Sequence, residues 1–467
     1  MTIADQWSDI QEWIGKSQQL LIKKLSRNDC AWADNSENGH QNGVYIPRAI
    51  RESDFFPQLK NINQDKQHIF ESQFKTLWPA TGEIKSSNLK HYSNKGTEMQ
   101  FTGVPKGEFS GLTPASLLIG GILRDSANDT RHWFMIVDSA SEEVELLEAM
   151  FDFGAEFHYG LFNPADALKI EKDETEQLVE ELSIAIKNGG LAAFIASVSK
   201  MPAPEILAAE AQRIFLQEHH LEDLSPYEIP NPGDAIMKIS RDIEYSLYKR
   251  AEKRYRAAEV IRILTRGGTD IVSSIVHGFA DLDATFLSAS QHRKSRAGRS
   301  FEQHIARLLS DGKIAFEEQA VTGGRRPDFV LPNLLVLKTK KRKFEEAMVL
   351  SAKTTLRERW KQVTMEKFNC ALFLATVDDR VSSAAIDDMS NQGIHLVVPE
   401  SLKKSNETCY NGKTNVITFR EFFDEEISKK RPRFLSLTPH DATFEAQMKV
   451  AEDIMRKRRN VLRELAK

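Results

Sequence analysis

Two short apolar segments in the C-terminal half place the strongest constraint on how this chain can fold. Asp328 opens the first, residues 328–331, and Lys353 closes the second, residues 349–353. Short apolar runs bounded by polar residues predict buried strands. If the two strands pair, the acid and the lysine lie together at one edge of a sheet. The charged residues 356–368 follow directly and predict a helix beside that edge.

Composition is typical of a globular protein and gives no global signal for a nucleic-acid ligand. The chain has 467 residues, 41% of them hydrophobic and 28% charged, which allows two or three domains. Its net charge of −4 means that any DNA-binding surface must be local. Cys30, Cys370 and Cys409 are widely spaced without a CxxC pair, which predicts a reducing compartment and neither a disulfide framework nor a zinc site. No apolar run approaches the roughly 18 residues of a membrane span, and the polar first residues are no signal peptide. We therefore expect a cytoplasmic protein without a membrane partner.

Turn signals and prolines divide the chain into three predicted domains. Residues 1–165 carry short strand candidates separated by Gly, Pro and Asp, which predicts a β-rich barrel or sandwich. Residues 166–225 are acidic with helical periodicity, which predicts a linker or spacer. A proline cluster that includes Pro226 and Pro232 then marks the start of an α/β domain, residues 226–467.

Apolar periodicity locates the individual elements. The expected helices cover residues 6–25, 174–187, 204–218, 240–264, 270–288, 356–368, 382–392 and 443–465. The expected strands cover residues 44–46, 98–102, 115–123, 132–137, 314–320, 328–331, 349–353, 371–376 and 395–398. A further helix is expected to start at Ser300, where Ser300 and Gln303 form a capping box, and to end at Gly312.

Asp328 and Lys353 suit the metal-dependent hydrolysis of a phosphodiester. That reaction needs a metal to polarise the phosphoryl oxygens, a water to attack in line and a group that orients the water. Carboxylates are natural ligands of Mg²⁺. The common nuclease pattern has an acid two residues before the lysine, but Ser351 occupies that position. Glu366 is the best replacement, because its place on the expected helix lets it point back toward the strand end, and Glu302 is an auxiliary acid.

The start of the same helix offers base-reading chemistry. Arg357 and Arg359 can each donate two hydrogen bonds to guanine, and Glu358 can accept one from cytosine, which suits a G·C-rich site. Simpler interpretations stay open for each residue alone. A Pro-Asp pair is usually a turn, a lysine at a strand end is usually solvated, and alternating charges are typical of a helix surface. The joint spacing favours the functional interpretation.

Four blocks of the C-terminal half stand in a recognisable order: residues 295–302, 319–322 with 327–329, 352–360 and 397–402. Together they resemble the catalytic domain of EcoRII-type restriction endonucleases. The resemblance implies a restriction-endonuclease-like fold that cuts double-stranded DNA with Mg²⁺, with Asp328, Lys353 and Glu366 as catalytic residues and Asp328 and Glu366 as metal ligands. It also implies that Arg357, Glu358 and Arg359 read a CC-GG type site (CCWGG- or CCNGG-like) and that Glu302 is the helix acid of the site.

The N-terminal half resembles the effector domain of the same enzymes, at residues 24–29 and 39–47. That resemblance implies a DNA-binding pseudobarrel that takes a second copy of the recognition site, as in type IIE enzymes. Its implied effector-DNA contacts are His40, Tyr45, Lys90, Lys95 and Arg241. A twofold-symmetric site further implies a homodimer, and a restriction-modification system implies a cognate DNA methyltransferase that does not bind stably.

Two other functions stay open. One is a sequence-specific DNA-binding or regulatory protein with a decayed nuclease site, which would bind DNA without cutting it. The other is a repair nuclease of the same fold, which would cut without regard to sequence.

Overall fold

The computed structural model describes residues 3–34, 43–61, 66–97, 99–127, 130–151, 153, 156–265, 271–319, 327–356, 360 and 369–435. Its strands form one sheet of eight and one of six. Together with the helices that cover them, these sheets make the chain a mixed α/β protein, as the sequence predicts. None of the described helices is both long enough and apolar enough to cross a membrane.

The eight-stranded sheet occupies the N-terminal region. Its strands are β1 (Ser17–Lys24), β2 (Val44–Ile46), β3 (Ile69–Trp78), β4 (Glu83–Tyr92), β5 (Met99–Thr102), β6 (Leu117–Ala127), β7 (Thr130–Val137) and β8 (Tyr159–Phe162). They lie in the order β2-β5-β4-β3-β7-β6-β1-β8, with β3 and β7 paired in parallel and the other described pairs antiparallel. The helices of this region are α1 (Ile3–Lys16), α2 (Arg27–Asp34), α3 (Arg48–Arg51) and α4 (Glu142–Met150). The expected strands are confirmed here, whereas the pseudobarrel stays a prediction.

The expected helix over residues 6–25 is wrong in its second half. Helix α1 ends at Lys16, and the chain continues as β1 between β6 and β8. Leu20 and Ile22 pack into the core that also holds residues of α1 and α4, while Leu21 enters the core on the other face. Successive side chains of a strand point to opposite faces, so a strand covered on both faces carries a continuous apolar run. Periodicity alone does not distinguish such a run from a buried segment of helix.

The six-stranded sheet lies in the C-terminal region. Its strands are β9 (Glu317–Glu318), β10 (Phe329–Leu331), β11 (Met348–Ala352), β12 (Ala371–Ala375), β13 (Ile394–Val398) and β14 (Val416–Thr418), in the order β14-β13-β12-β11-β10-β9. Strands β9 to β11 are antiparallel and β11 to β14 are parallel. Its helices are α8 (Pro232–Lys238), α9 (Tyr245–Thr265), α10 (Ile271–His277), α11 (Phe279–Asp311), α12 (Leu334–Lys338), α13 (Ser383–Asn391), α14 (Glu400–Lys404) and α15 (Phe419–Glu421), with π-helical turns at Ile239–Glu244 and Phe422–Lys429. The helix expected over residues 356–368 falls almost wholly outside the described residues, and that over 443–465 entirely outside them.

Helix α11 begins earlier than the sequence predicts. It starts after Gly278 and runs through Ser300, so the predicted capping box is wrong. Gly298 does not break it, because one glycine in a helix interior costs only about 1 kcal/mol relative to alanine. Its predicted end at Gly312 is confirmed. Phe301, with no exposed surface, packs this helix onto the sheet.

Three helices fill the segment expected to be a linker: α5 (Pro164–Lys187), α6 (Leu191–Val198) and α7 (Pro204–Glu218). Gly189, with φ of +63°, and Gly190 separate α5 from α6. Helix α7 places Ala211 and Phe215 in the same core cluster as Phe301. It therefore packs as part of the C-terminal core, which differs from a spacer, while the domain boundaries at 165 and 225 stay predictions.

Candidate active site and DNA-binding face

The pairing of β10 with β11 brings Asp328 and Lys353 together. Phe329 lies opposite Leu350 in this antiparallel pair, so the residue before β10 faces the residues at the end of β11. Asp328 Oδ2 accepts hydrogen bonds from the Ala352 backbone N–H and from Lys353 Nζ, each 2.8 Å long. The expected juxtaposition of acid and lysine is therefore present.

Glu302 adds a second carboxylate to this pair. Its Oε1 lies 3.9 Å from Lys353 Nζ, and the three side chains are between 13% and 23% exposed. Burial, followed by the nearby Asp328 carboxylate, raises the pKa of Glu302 to about 7, against the lowering effects of Lys353 and of a hydrogen bond from Gln319. Two neighbouring carboxylates that are this strongly buried compete for one cation or one proton. Glu302 is held there because its neighbour Phe301 is anchored in the core.

This donor set fits Mg²⁺. The ion is commonly held by one or two carboxylates, with water and phosphate oxygens completing its shell, and Asp328 and Glu302 supply two such groups beside each other. Within the described part of the chain, no group of three or more His, Cys, Asp and Glu side chains could hold a metal. The expected second ligand, Glu366, lies outside the described residues.

A row of polar side chains crosses four strands on one face of the N-terminal sheet. Tyr45 on β2 lies opposite Gln100 on β5, Gln100 lies opposite Lys90 on β4, and Lys90 lies opposite Glu71 on β3. Gln100 Nε2 donates to the Tyr45 hydroxyl (3.3 Å), and Lys90 Nζ lies 3.2 Å from a Glu71 carboxylate oxygen. Directly opposed residues of a sheet share a face, so Tyr45 and Lys90, both predicted DNA contacts, point the same way.

The other predicted effector contacts do not all join this row. Lys95 lies just beyond β4, with its Nζ 5.4 Å from the centre of the Tyr92 ring. Arg241 lies on the π-helical turn before α9, with its guanidinium 3.2 Å from Asp379 and 3.7 Å from Glu148. Burial acts to lower the pKa of Arg241, but these two carboxylates raise it above its usual value. In this arrangement Arg241 is engaged by protein carboxylates, and its contact with DNA stays a prediction.

Large parts of this chain are similar in sequence to known proteins. Residues 255–423 match the family model described as EcoRII C terminal. The chain is 26% identical over 402 residues to the type II restriction enzyme EcoRII of Escherichia coli, across 82% of this chain and 88% of that protein. Residues 255–423 are therefore similar to the C-terminal domain of EcoRII. The resemblance to EcoRII-type restriction endonucleases is thereby confirmed.

The chain is also similar to a second restriction enzyme and to solved structures. The type II restriction enzyme SsoII of Shigella sonnei is 32% identical over 158 residues, across 31% of this chain and half (50%) of that protein. The structure of metal-depleted Ecl18kI in complex with uncleaved DNA aligns at 22% identity with a TM-score of 0.42, covering 57% of this chain and 93% of that one. A complex of the restriction endonuclease PspGI with substrate DNA aligns at 19% identity with a TM-score of 0.39, covering 50% and 94% of the two chains.

Several residues implied by the EcoRII resemblance lie outside the described residues. These are His40, Arg357, Glu358, Arg359 and Glu366. The two residues that border the triplet 357–359 are described, however. Leu356 and Trp360 are 0% and 7% exposed, and both belong to the core cluster of the C-terminal sheet.

The structure also shows two polar residues to which neither the EcoRII resemblance nor the sequence patterns gave a role, although Gln319 opens one of the resembling blocks. Gln319 hydrogen-bonds Glu302 from a backbone with φ of +45°. Gln100 completes the polar row between Tyr45 and Lys90. The alternation Met99-Gln100-Phe101 could have indicated an outward-facing polar residue, but nothing local to Gln319 indicates its partner.

Proposed function

We propose that this chain is a type II restriction endonuclease that hydrolyses double-stranded DNA at a CC-GG type site in the cytoplasm with Mg²⁺. The observation that carries the proposal is the convergence of Asp328, Lys353 and Glu302 at one edge of the C-terminal sheet. The match of residues 255–423 to the family model described as EcoRII C terminal supports it.

Three described residues, together with Glu366, would divide the chemistry between them. Bound Mg²⁺ would polarise the phosphoryl oxygens and neutralise charge that develops on them. Asp328, together with Glu366, would hold the ion. Lys353, fixed by its hydrogen bond to Asp328, would donate a second hydrogen bond to the attacking water or to a phosphate oxygen. Glu302, whose carboxylate lies near Asp328 and Lys353, would be an auxiliary acid for the ion or for the attacking water.

Base reading is assigned to Arg357, Glu358 and Arg359. Arginine recognises guanine O6 and N7 with two hydrogen bonds, and glutamate accepts from cytosine N4. The burial of Leu356 and Trp360 on either side of the triplet supports this role. On the helix that the sequence predicts over residues 356–368, residues four apart share one face, which would leave the triplet between them on the other faces.

The polar row of the N-terminal sheet is proposed to take a second copy of the site. Tyr45, Gln100 and Lys90 lie on adjacent strands, about 5 Å from one to the next, and His40 and Lys95 would extend the same contact. Cleavage would then be stimulated by a second DNA site. A palindromic target favours a homodimer with one strand cut by each subunit, and a cognate methyltransferase would protect the host DNA.

Cleavage of a plasmid with several unmethylated CC-GG sites tests the proposal. We expect discrete fragments with Mg²⁺ and none with EDTA, and sequencing of the fragment ends would give the central bases and the cut position. A plasmid without such sites is the control. Binding without cutting in both Mg²⁺ and Mn²⁺ would favour a regulatory protein, and sequence-indifferent cutting would favour a repair nuclease.

A further inference from the structure

The turn after β12 lies directly beside the end of β11. Strands β11 and β12 are parallel, with Ala352 opposite Ala375, so both chains leave the sheet at the same edge. The Lys353 N–H donates to the Ala375 carbonyl (3.0 Å). The turn then places two consecutive acids, Asp378 and Asp379, at 6% and 4% exposure. Buried carboxylates need dedicated partners, and the partners of these two differ.

The partners of Asp378 are local backbone groups. Its Oδ2 accepts from the Leu356 N–H (2.7 Å), and its Oδ1 accepts from the Arg380 N–H (3.0 Å). Its carbonyl oxygen accepts from the Tyr410 hydroxyl, and its own N–H donates to Thr376 Oγ1 (3.1 Å). The carboxylate thus connects the turn to the chain that leaves β11.

That connection fixes the residue immediately before the proposed reading triplet. Lys353 is held by the Ala375 carbonyl and by Asp328, and Leu356 is held by Asp378 and by its burial. The covalent chain keeps consecutive Cα atoms about 3.8 Å apart. A shift of Leu356 would therefore move the start of the triplet by a similar amount.

The partners of Asp379 come from far along the chain. Lys24 of β1 places Nζ 3.2 Å from Asp379 Oδ2, and Arg241 lies 3.2 Å from the same oxygen. Glu148 of α4 pairs with Arg380 (3.0 Å), the next residue of the turn. Burial acts to raise the pKa of Asp379, but Arg241, Lys24 and Arg380 hold it well below its usual value. Two residues of the N-terminal region, Lys24 and Glu148, thus form ion pairs with the turn.

We propose that the turn at Asp378 and Asp379 positions the DNA-reading segment, residues 357–359. Because the N-terminal region contacts this turn, the placement of that region also affects the position of the reading segment. Asp378 is a positioning residue for the triplet 357–359, and Asp379 fixes the turn to Lys24. This inference rests on the proposed restriction activity. It adds a determinant of specificity that touches neither DNA nor metal.

Variants of Asp378 test the positioning role. Asp378→Ala removes both acceptors, whereas Asp378→Asn keeps an oxygen for the Leu356 N–H. The measurement is the ratio of kcat/KM on the cognate site to kcat/KM on a site with one changed base. We expect Asp378→Ala to lower this ratio on the order of tenfold, the size of one good base contact, and Asp378→Asn to restore most of it. An unchanged ratio in Asp378→Ala, or an equal loss in both variants, would overturn the proposal.

A matched control and a second measurement separate positioning from general damage. Asp387→Asn removes an exposed acid of α13 that pairs with Lys413, and it should leave the ratio unchanged. Hydrogen exchange of the Leu356 amide in the wild-type protein should be slow. An amide there that exchanges as fast as an exposed one overturns the proposal, whether or not Asp378→Ala folds.

The long-range connection is tested by a double-mutant cycle. Lys24→Met and Asp379→Asn should each lower the discrimination ratio, and the double variant should lose less than the two losses combined, because both break one contact. Independent effects, or no effect of Lys24→Met, would refute the connection. If the wild-type protein cuts no DNA, the proposed activity fails, and the same variants are then compared by discrimination in a gel-shift assay, which tests the turn separately.

Discussion

Replacement of Lys353 by alanine is the sharpest test of the candidate active site. Lys353 Nζ lies 2.8 Å from Asp328 and 3.9 Å from Glu302, with 23% of its side chain exposed. Two unit charges about 4 Å apart near a protein surface interact by about 4 kcal/mol, so the lysine offsets much of the repulsion between the two acids. Loss of one preorganised donor at a reacting centre typically costs about 3–4 kcal/mol in the transition state. We therefore expect Lys353→Ala to lower the cleavage rate by about a hundred- to a thousandfold.

Single-turnover cleavage of a plasmid in Mg²⁺ measures that loss, and a gel-shift assay in Ca²⁺ measures binding. DNA affinity should change little, because one lysine is one of many phosphate contacts and alters the salt slope by only about 1. Lys340→Ala is the matched control, since it removes an exposed lysine between the same two strands. A Lys353→Ala protein that cuts at the wild-type rate, or that loses cutting only because it no longer binds, would refute the assignment.

Three further predictions concern stability and the second DNA site. Phe301→Ala should lower the free energy of unfolding by about 3–5 kcal/mol, since it empties a fully buried position; a shifted urea midpoint with unchanged slope would show this. The hydrogen bond with Glu407 raises the pKa of His158, so the stabilisation from this pair is complete below about pH 6.5 and is lost as the pH rises through the raised value. The stabilisation from this pair should be small, because 57% of the His158 side chain is exposed. The pH dependence that the pair contributes should vanish in His158→Gln, when the free energy of unfolding is measured at low and high pH. Lys90→Ala should weaken second-site binding on all sequences and lower the salt slope by about 1, as titration of effector DNA at several salt concentrations would show; an unchanged slope would exclude Lys90 from the contact.

The pairing of Asp328 with Lys353 could be predicted because it follows from local patterns. Two apolar runs in close succession, one opened by an acid and one closed by a lysine, need only pair as neighbours to bring those ends together. Glu302 was also identified as a site acid, although its helix begins some twenty residues earlier than expected, after Gly278. Its position depends on Phe301 and the apolar stripe around it, which are visible in the sequence.

Other parts of the fold could not be predicted, for reasons that are physical. Strands β3 and β4 pair over their whole length, Ile69 with Tyr92 through Trp78 with Glu83, yet they carry many polar residues. Their stability comes from pairing with neighbouring strands, which a local pattern does not show. The contact of Lys24 with Asp379 spans 355 positions of the chain, so no spacing rule could indicate it. Charges alone would place both residues on the surface.

The ionic character of that contact has a consequence for how the two regions are held. A buried ion pair contributes little net stability, because desolvation offsets most of the attraction, whereas removal of one partner leaves an unpaired charge that costs about 3–5 kcal/mol. These ion pairs therefore fix one placement of the N-terminal region but add little to its stability. They join Lys24 and Glu148 on one side to Arg241, Asp379 and Arg380 on the other. An apolar interface of equal size would allow the two regions to slide against each other, whereas paired charges do not. Since the selected turn also holds Leu356, any seating that separates Lys24 from Asp379 would release one side of the turn that carries the reading segment.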